Sequence, residues 1–428
     1  MKVGIIGAGI TGLTVAYELT RRGHAVTLFE ATAVAGGLAS GFKAGNWDWP
    51  LDRFYHHLFA SDYEAMALAK EIGLGPSLFF RKPVTAVWYK GRAYPLDTPL
   101  AVLRFPHLSF LEKMRMGLVV LYLKLQNNWR PLERATAHQW LPKYMGERAY
   151  RIVWEPLFVG KFSREYTEVN MAWFWARIHK RSKSLGYFAG GFQALADTLV
   201  EHIHRHGGKV LFQTPVQKIV PRAAGQSLTL HTAKGEDDFE RVVVTLSPDL
   251  LAQITPALPE GYLTQLRNLR WLGALALIVA LDRPLTHGHY WINLPKEEGF
   301  PFLALVEHTN YIDPAHYGGD HLVYLGDYPP PGHEYFQLSK EELLERFLPH
   351  LLRFNPGFDP AWVRQSWLFR EDYAQPVPLL NHSQKIPDLQ TPIPGLFWAS
   401  MSQVYPWDRG TNYSVELGRK VASMVDAD

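Results

Sequence analysis

The run KVGIIG at residues 2–7 is short and apolar, and it leads directly into GAGITG. Gly7, Gly9 and Gly12 therefore stand in the G-x-G-x-x-G spacing between a strand and a helix expected over residues 10–22. A second strand, HAVTLFE, ends at Glu30. Each residue type has a reason to be there. Gly7 allows the tight turn, Gly9 lets a pyrophosphate approach the backbone, and Gly12 permits close packing of helix on strand. The helix N-terminus offers unpaired N–H groups and the positive end of its dipole. Glu30, at the tip of the second strand, is placed to accept ribose hydroxyls. Strand, turn, helix, strand and acid in register predict a dinucleotide site.

The next glycines narrow the choice of dinucleotide. Gly36 and Gly37 follow the second strand, and Gly41 follows them. This Glu-(x)5-GG-(x)3-G pattern resembles the flavoprotein family of monoamine and polyamine oxidases, protoporphyrinogen oxidase and phytoene desaturases. The resemblance implies FAD, held noncovalently, with Gly36, Gly37 and Gly41 along its pyrophosphate and ribityl region. The stretch LGYFAGGFQALADTLVEHIHRHGGKVLFQTPVQKIV, residues 185–220, continues the likeness. There the resemblance implies a backbone contact from Val216 to the adenine side. FERVVVTLSP, residues 239–248, resembles the strand that re-enters the nucleotide domain.

The chain closes as this family closes. GLFWAS at 395–400 reads as a buried strand, followed by the turn YPWDRG and a helix from about Thr411 to Val425. Asp408 is expected to accept from a ribityl hydroxyl. Gly410 is expected to let the flavin approach, and the N–H groups near Asn412 to face its pyrimidine ring, where charge collects on reduction. Tyr405 and Trp407 replace the small residues of many relatives. They either line the pocket near the isoalloxazine or pack under the turn.

The resemblance implies an α/β fold, a Rossmann-like FAD-binding domain interleaved with a mixed α+β substrate domain of the amine-oxidase type. Residues 1–60, 185–250 and 385–428 form the first. Residues 61–184 and 251–384 form the second, with a helical subdomain at about 105–182. Within the substrate domain, His56 and His57 of FYHHLFASD resemble a histidine segment of UDP-galactopyranose mutase that lies near flavin there. Arg177, beside Trp173 and Trp175, suits either a flat or anionic ligand or a core ion pair. Glu307 and His308, with Asn310, end a strong strand and either reach the pocket or hydrogen-bond structurally. Tyr373 and Gln375 are expected over the flavin. The helix LSFLEKMRMGLVVLYLKLQNNW, residues 108–129, is expected to be buried in the substrate domain; the alternative is a patch resting on lipid, as in protoporphyrinogen oxidase.

Composition excludes some functions. Lys plus Arg number 44 against 41 Asp plus Glu, a balance that does not suggest nucleic acid. Cysteine is absent, so thiol catalysis, thiolate metal sites and cysteinyl flavin attachment are impossible. His202, His204 and His206 do not share one helix face, and no metal is expected. The N-terminus lacks a basic region and apolar core before the first strand, so a cytoplasmic location is expected, with possible contact at the inner face of the membrane. The resemblance implies an oxidoreductase in which flavin N5 accepts hydride from an amine or from an apolar or cyclic substrate, such as a porphyrinogen, carotenoid or prenyl compound. The alternative is a nonredox nucleotide-sugar mutase resembling UDP-galactopyranose mutase, whose pocket would gather arginines.

Overall fold

The computed structural model describes residues 1–222 and 227–427. Five parallel strands form one sheet in the spatial order Lys209–Leu211, Ala25–Phe29, Lys2–Ile6, Arg241–Val244, Leu396–Trp398. The side chains of its three inner strands and of Leu396–Trp398 are mostly buried, as expected of a parallel sheet covered on both faces, while Lys209–Leu211 is an exposed edge. Lys2–Ile6 sits in the middle, with chain neighbours leaving it on opposite sides. That reversal opens a crevice at the C-terminal ends of the strands, where ligands bind in such sheets. The glycine turn begins at Gly7, directly in that crevice.

The first helix, Ile10–Arg21, packs against the last, Thr411–Ala427. The two backbones come close because Gly418 has no side chain: a Cβ there would sit 2.7 Å from Thr14 Cβ. Both helices thus start at the same crevice although 400 residues separate them.

A seven-stranded mixed sheet runs in the order Val363–Pro376, Trp271–Leu281, His321–Asp327, Ala304–Glu307, His289–Asn293, Val84–Tyr89, Arg92–Pro95. Alternation along Trp271–Leu281 divides its apolar residues between two cores. Leu275, Leu277 and Val279 face one; Ala276, Ile278 and Ala280 face the other, which is shared with the parallel sheet. Lys90 and Gly91 close the edge hairpin with positive φ at both positions, 48° and 78°.

Helices Ala137–Met145, Glu155–Phe162 and Met171–Lys180 gather around Trp173, Phe158 and Phe162 as a third core. Helix Phe110–Leu125 lies against them differently from the expectation. It buries only Met116 and Leu123, which lie two turns apart on one face. Phe110, Leu111, Met114, Leu118, Leu121, Tyr122 and Leu125 are exposed. Their spacing follows the helical period and makes a continuous outward apolar stripe. It is not a buried helix, because the core beneath it needs only a narrow strip of its surface.

Candidate functional site

At the glycine turn the three glycines differ in what surrounds them. A Cβ on Gly12 would meet the Gly7 carbonyl oxygen at 2.0 Å, so Gly12 is a packing requirement. Gly7 takes φ +102° to make the turn. A Cβ on Gly9 would meet nothing within 4 Å. Gly9 borders open space above the helix N-terminus, which is the cradle a pyrophosphate needs. Gly36 and Gly37 flank it: Gly36 N donates to Ala8 O at 2.8 Å, and a Cβ on Gly37 would come within 3.1 Å of Gly9 Cα.

Glu30 follows the second strand with its carboxylate held in place. Ala8 N donates to Oε2 at 2.8 Å, and Thr32 N and Oγ1 donate to Oε1 at 2.8 Å each. A carboxylate has about four lone-pair sites, so capacity remains on the open side. The segment leading to Val216 runs alongside, with Thr214 N donating to Glu30 O at 2.8 Å. Val216 itself begins strand Val216–Pro221 and is buried. Gly41 lies elsewhere. It is packed in a strand, donates from its N–H to Gln193 Oε1 at 2.8 Å, and has Leu51 O and Pro50 against it. The third glycine therefore answers a packing need rather than opening the cradle.

From Leu38, beside this turn, a cavity of about 350 Å³ extends to Gly410, Thr411 and Tyr413 at the start of the last helix. Tyr55, His56, His57, Trp291, Tyr328 and Arg409 also line it. A Cβ on Gly410 would meet only Tyr413 Cδ2, at 3.9 Å, so the backbone is open to a ligand. The side chain of Asn412 is already engaged: its Oδ1 accepts from Ala65 N at 3.1 Å and caps helix Tyr63–Glu71. Its Oδ1 is thus taken, and the backbone N–H groups of the first turn that have no intrahelical acceptor are free to face a ligand.

Asp408 stands among cations from the helical core. Arg177 Nη1 lies 2.7 Å and Lys161 Nζ 3.0 Å from its Oδ2, while Trp173 Nε1 donates to Oδ1 at 3.0 Å. Those donors, with Arg409 nearby, hold the Asp408 carboxyl well below the usual range against the effect of burial. Oδ2 serves an internal ion cluster and Oδ1 holds Trp173, and with about four lone-pair sites on a carboxylate the residue keeps accepting capacity where it lines the cavity. Lys161 has the opposite problem. Burial pushes its ammonium down to about 7, because Arg177 and Arg409 crowd it and Asp408 is shared. In a site with more cations than partners, the lysine yields first, since a guanidinium keeps its proton.

Both adjacent histidines reach the cavity. His56 donates from Nδ1 to Phe54 O at 2.6 Å, which leaves Nε2 as an acceptor. His57 Nδ1 is buried and has no hydrogen-bond partner among the described residues. Burial lowers His56 to about 4 and His57 to about 3, so both rings are neutral at physiological pH. Arg409 donates to Gln375 Oε1 at 3.0 Å and to the Tyr328 hydroxyl at 2.7 Å.

Other expected pocket residues are elsewhere. Glu307 is fully buried and accepts from Leu285 N, Thr286 N and Asn310 Nδ2 at 2.8 Å each. His308 Nε2 and the Tyr317 hydroxyl are 2.8 Å apart. This pair finishes the strand end and does not face the cavity. On strand Val363–Pro376 it is Ala374 that lines the cavity. Neighbouring strand residues alternate sides, so Tyr373 points away and bonds Ser402 Oγ at 2.6 Å, while Gln375 only supports Arg409. Tyr405 donates to Glu133 at 3.2 Å and accepts from Asn170 at 3.0 Å. Trp407 stacks on Trp175 and Tyr413, with ring centroids 5.3 and 5.8 Å apart. Both aromatics pack under the turn. Lys161, Tyr55, Trp291, Asp327, Tyr328 and Arg409 are among the lining residues that sequence reading passed over. Only Lys161 carried a signal, a charge between Phe158 and Phe162 in a helix whose other charge, Glu155, stands at its start.

The family model described as flavin containing amine oxidoreductase matches residues 10–425. Among curated proteins, 15-cis-phytoene desaturase of Synechococcus elongatus is 24% identical over 93% of this chain and 90% of its own length. Among solved structures, an oxidoreductase from Methanosarcina mazei superposes with a TM-score of 0.77 at 21% identity, covering 99% of this chain and 100% of that one. Reduced UDP-galactopyranose mutase superposes with a TM-score of 0.76 at 17% identity, covering 100% of this chain and 95% of that one. At these identities the two structures speak for the fold.

Proposed function

Because the chain belongs to the flavin-containing amine oxidoreductase family, we propose that it is an FAD-dependent oxidoreductase of an apolar or cyclic substrate delivered from a lipid surface. FAD, when bound, supplies the two-electron acceptor. In this reading residues 1–60, 185–250 and 385–428 carry the cofactor and the remainder carries the substrate. Gly9, Gly36 and Gly37 admit the pyrophosphate, and Gly410 with the first turn of the last helix borders the redox end. His56, neutral, and the tyrosines Tyr55 and Tyr328 present polar groups without fixed charge to the reacting carbon.

One observation supports the choice of substrate. Val102 and Met116 line the cavity from helices Pro99–Arg104 and Phe110–Leu125. On the outer side of the same two helices Leu100, Leu103, Leu111, Leu118, Leu121 and Leu125 are exposed, Leu111 by 77% and Leu125 by 71%. Only the thickness of a helix separates the apolar surface from the cavity. No helix among the described residues is long and apolar enough to cross a membrane. The contact proposed is interfacial and rests on the apolar stripe, since Lys113, Arg115 and Lys124 on the same helix donate to the carbonyls of Leu103, of Tyr144 and Lys143, and of Arg181.

Two measurements test this reading. Liposome flotation should carry the wild-type protein with vesicles containing anionic lipid, and the double substitution Leu118→Glu and Leu121→Glu should leave it in the soluble fraction with its flavin retained. Under anaerobic conditions, prenyl or cyclic hydrocarbons presented in those vesicles should bleach the oxidised flavin band. Bleaching by simple amines alone, with no vesicle binding, would refute the proposal.

A further inference from the structure

The cavity is not apolar throughout. Six cationic side chains line it against four carboxylates, and one of those carboxylates, Asp327, is matched by Lys296 from outside the lining at 2.9 Å. Asp408 is shared by Lys161 and Arg177. Asp62 accepts from Phe59 N at 2.8 Å, and burial pushes its carboxyl up to about 6. Asp97 lies near Arg181. The cations concentrate where helix Met171–Lys180 ends: Arg177, Lys180, Arg181 and Lys183 all reach the cavity. The C-terminus of a helix asks for about half a unit of positive charge. Four cations within seven positions exceed that by far. Among the described residues, Arg181 and Lys183 make no ion pair within 4.0 Å.

A second, independent feature marks the same place. His57 Nδ1 is buried without a hydrogen-bond partner among the described residues, and the charges around His57 are those of Arg177, Arg181 and Lys161. A buried polar atom left unpaired is costly unless a ligand completes it. The rest of the lining includes an apolar group, Val102, Met116, Ile152, Val153 and Leu157.

We propose that this cavity takes an anionic amphiphile: an oxyanion of the phosphate or carboxylate kind at Arg177, Arg181, Lys183 and His57, with an apolar chain or ring system running toward Val102 and Met116. The inference rests on the reading above and specifies its substrate class. The cations satisfy their excess charge through the oxyanion, and the His57 ring gains its partner. The apolar portion fills the space beneath the exposed helices. A lipid-anchored molecule that lifts its tail from the interface while its headgroup meets the basic end has this chemistry. Free inorganic phosphate shares only the headgroup part.

The test uses the FAD-loaded protein and three probes: farnesyl phosphate, farnesol and inorganic phosphate. Binding is followed by quenching of tryptophan fluorescence, since Trp154 and Trp291 line the cavity, and by perturbation of the flavin spectrum. Farnesyl phosphate should bind about tenfold or more tightly than farnesol, the factor expected of a charge-assisted contact. The double substitution Arg181→Gln and Lys183→Gln, both at exposed positions, should remove that advantage and leave flavin content and farnesol binding unchanged. Equal affinity for farnesol and farnesyl phosphate overturns the anion subsite. Inorganic phosphate binding as tightly as farnesyl phosphate overturns the single amphiphilic ligand. Failure of the redox reading shows differently, as tight binding of farnesyl phosphate with no bleaching of the flavin by any apolar compound.

Discussion

Replace Lys161 by methionine. The side chain keeps its length and apolar stem, and the ammonium is removed from a place where it is only 11% exposed. Burial lowers this lysine from its ordinary 10.5 to about 7 in the folded protein. At about 1.4 kcal/mol per pH unit, the displacement corresponds to a ceiling of about 5 kcal/mol of destabilisation. The sign follows from proton counting. Between the two values the unfolded chain binds a proton that the folded chain does not, so stability rises with pH across that window. The cost is complete below pH about 7 and absent above 10.5. Asp408 does not become an orphan in the variant, because Arg177 at 2.7 Å and Trp173 at 3.0 Å still hold it. Removing a surplus buried charge is worth about 1 to 4 kcal/mol in comparable settings. The expected outcome is a variant about 1 to 4 kcal/mol more stable than wild type at pH 6, with the gap closing steadily between pH 7 and pH 9.5. Urea unfolding followed by tryptophan fluorescence at several pH values reads it. A variant less stable at pH 6, with a gap that does not change with pH, would show that Lys161 is fully compensated by Asp408 and refute the reasoning.

Two further pairs of substitutions separate packing from binding. Gly9→Ala should fold and melt as wild type, since nothing lies within 4 Å of the added methyl, yet release FAD more readily on dilution. Gly12→Ala should cost about 3 kcal/mol or more from overpacking, because its Cβ would lie 2.0 Å from Gly7 O, and circular dichroism should register the loss even without cofactor. Asn412→Ala should cost about 1 kcal/mol by leaving Ala65 N without its acceptor, while the flavin reduction potential stays where it was. Gly410→Val should do the reverse, shifting potential or affinity with little change in melting temperature, since its Cβ position is open.

Some of this chain is legible without its structure because the relevant physics is local. The glycine turn and the helix N-terminus it feeds lie within twelve residues, and the acid at Glu30 follows at the end of the next strand. Spacing alone carries that information, and the parallel sheet and mixed sheet follow from apolar runs of the right length. The closing strand and helix are equally readable, since Leu396–Trp398 could enter only a covered sheet. The facing of side chains was decided by tertiary structure. Tyr373 and Ala374 differ by one position on one strand, and only the pairing of that strand with Trp271–Leu281 determines which of them meets the cavity. Asp408 stands in the expected turn, but Lys161 and Arg177 reach it from 247 and 231 residues away and both bind its Oδ2. Helix Phe110–Leu125 has enough apolar residues for a core, and only its docking through Met116 and Leu123 shows that most of them face outward. Short-range pattern specifies an element and its periodicity. Which face is buried, and which charges share a site, depends on partners brought together from distant parts of the chain.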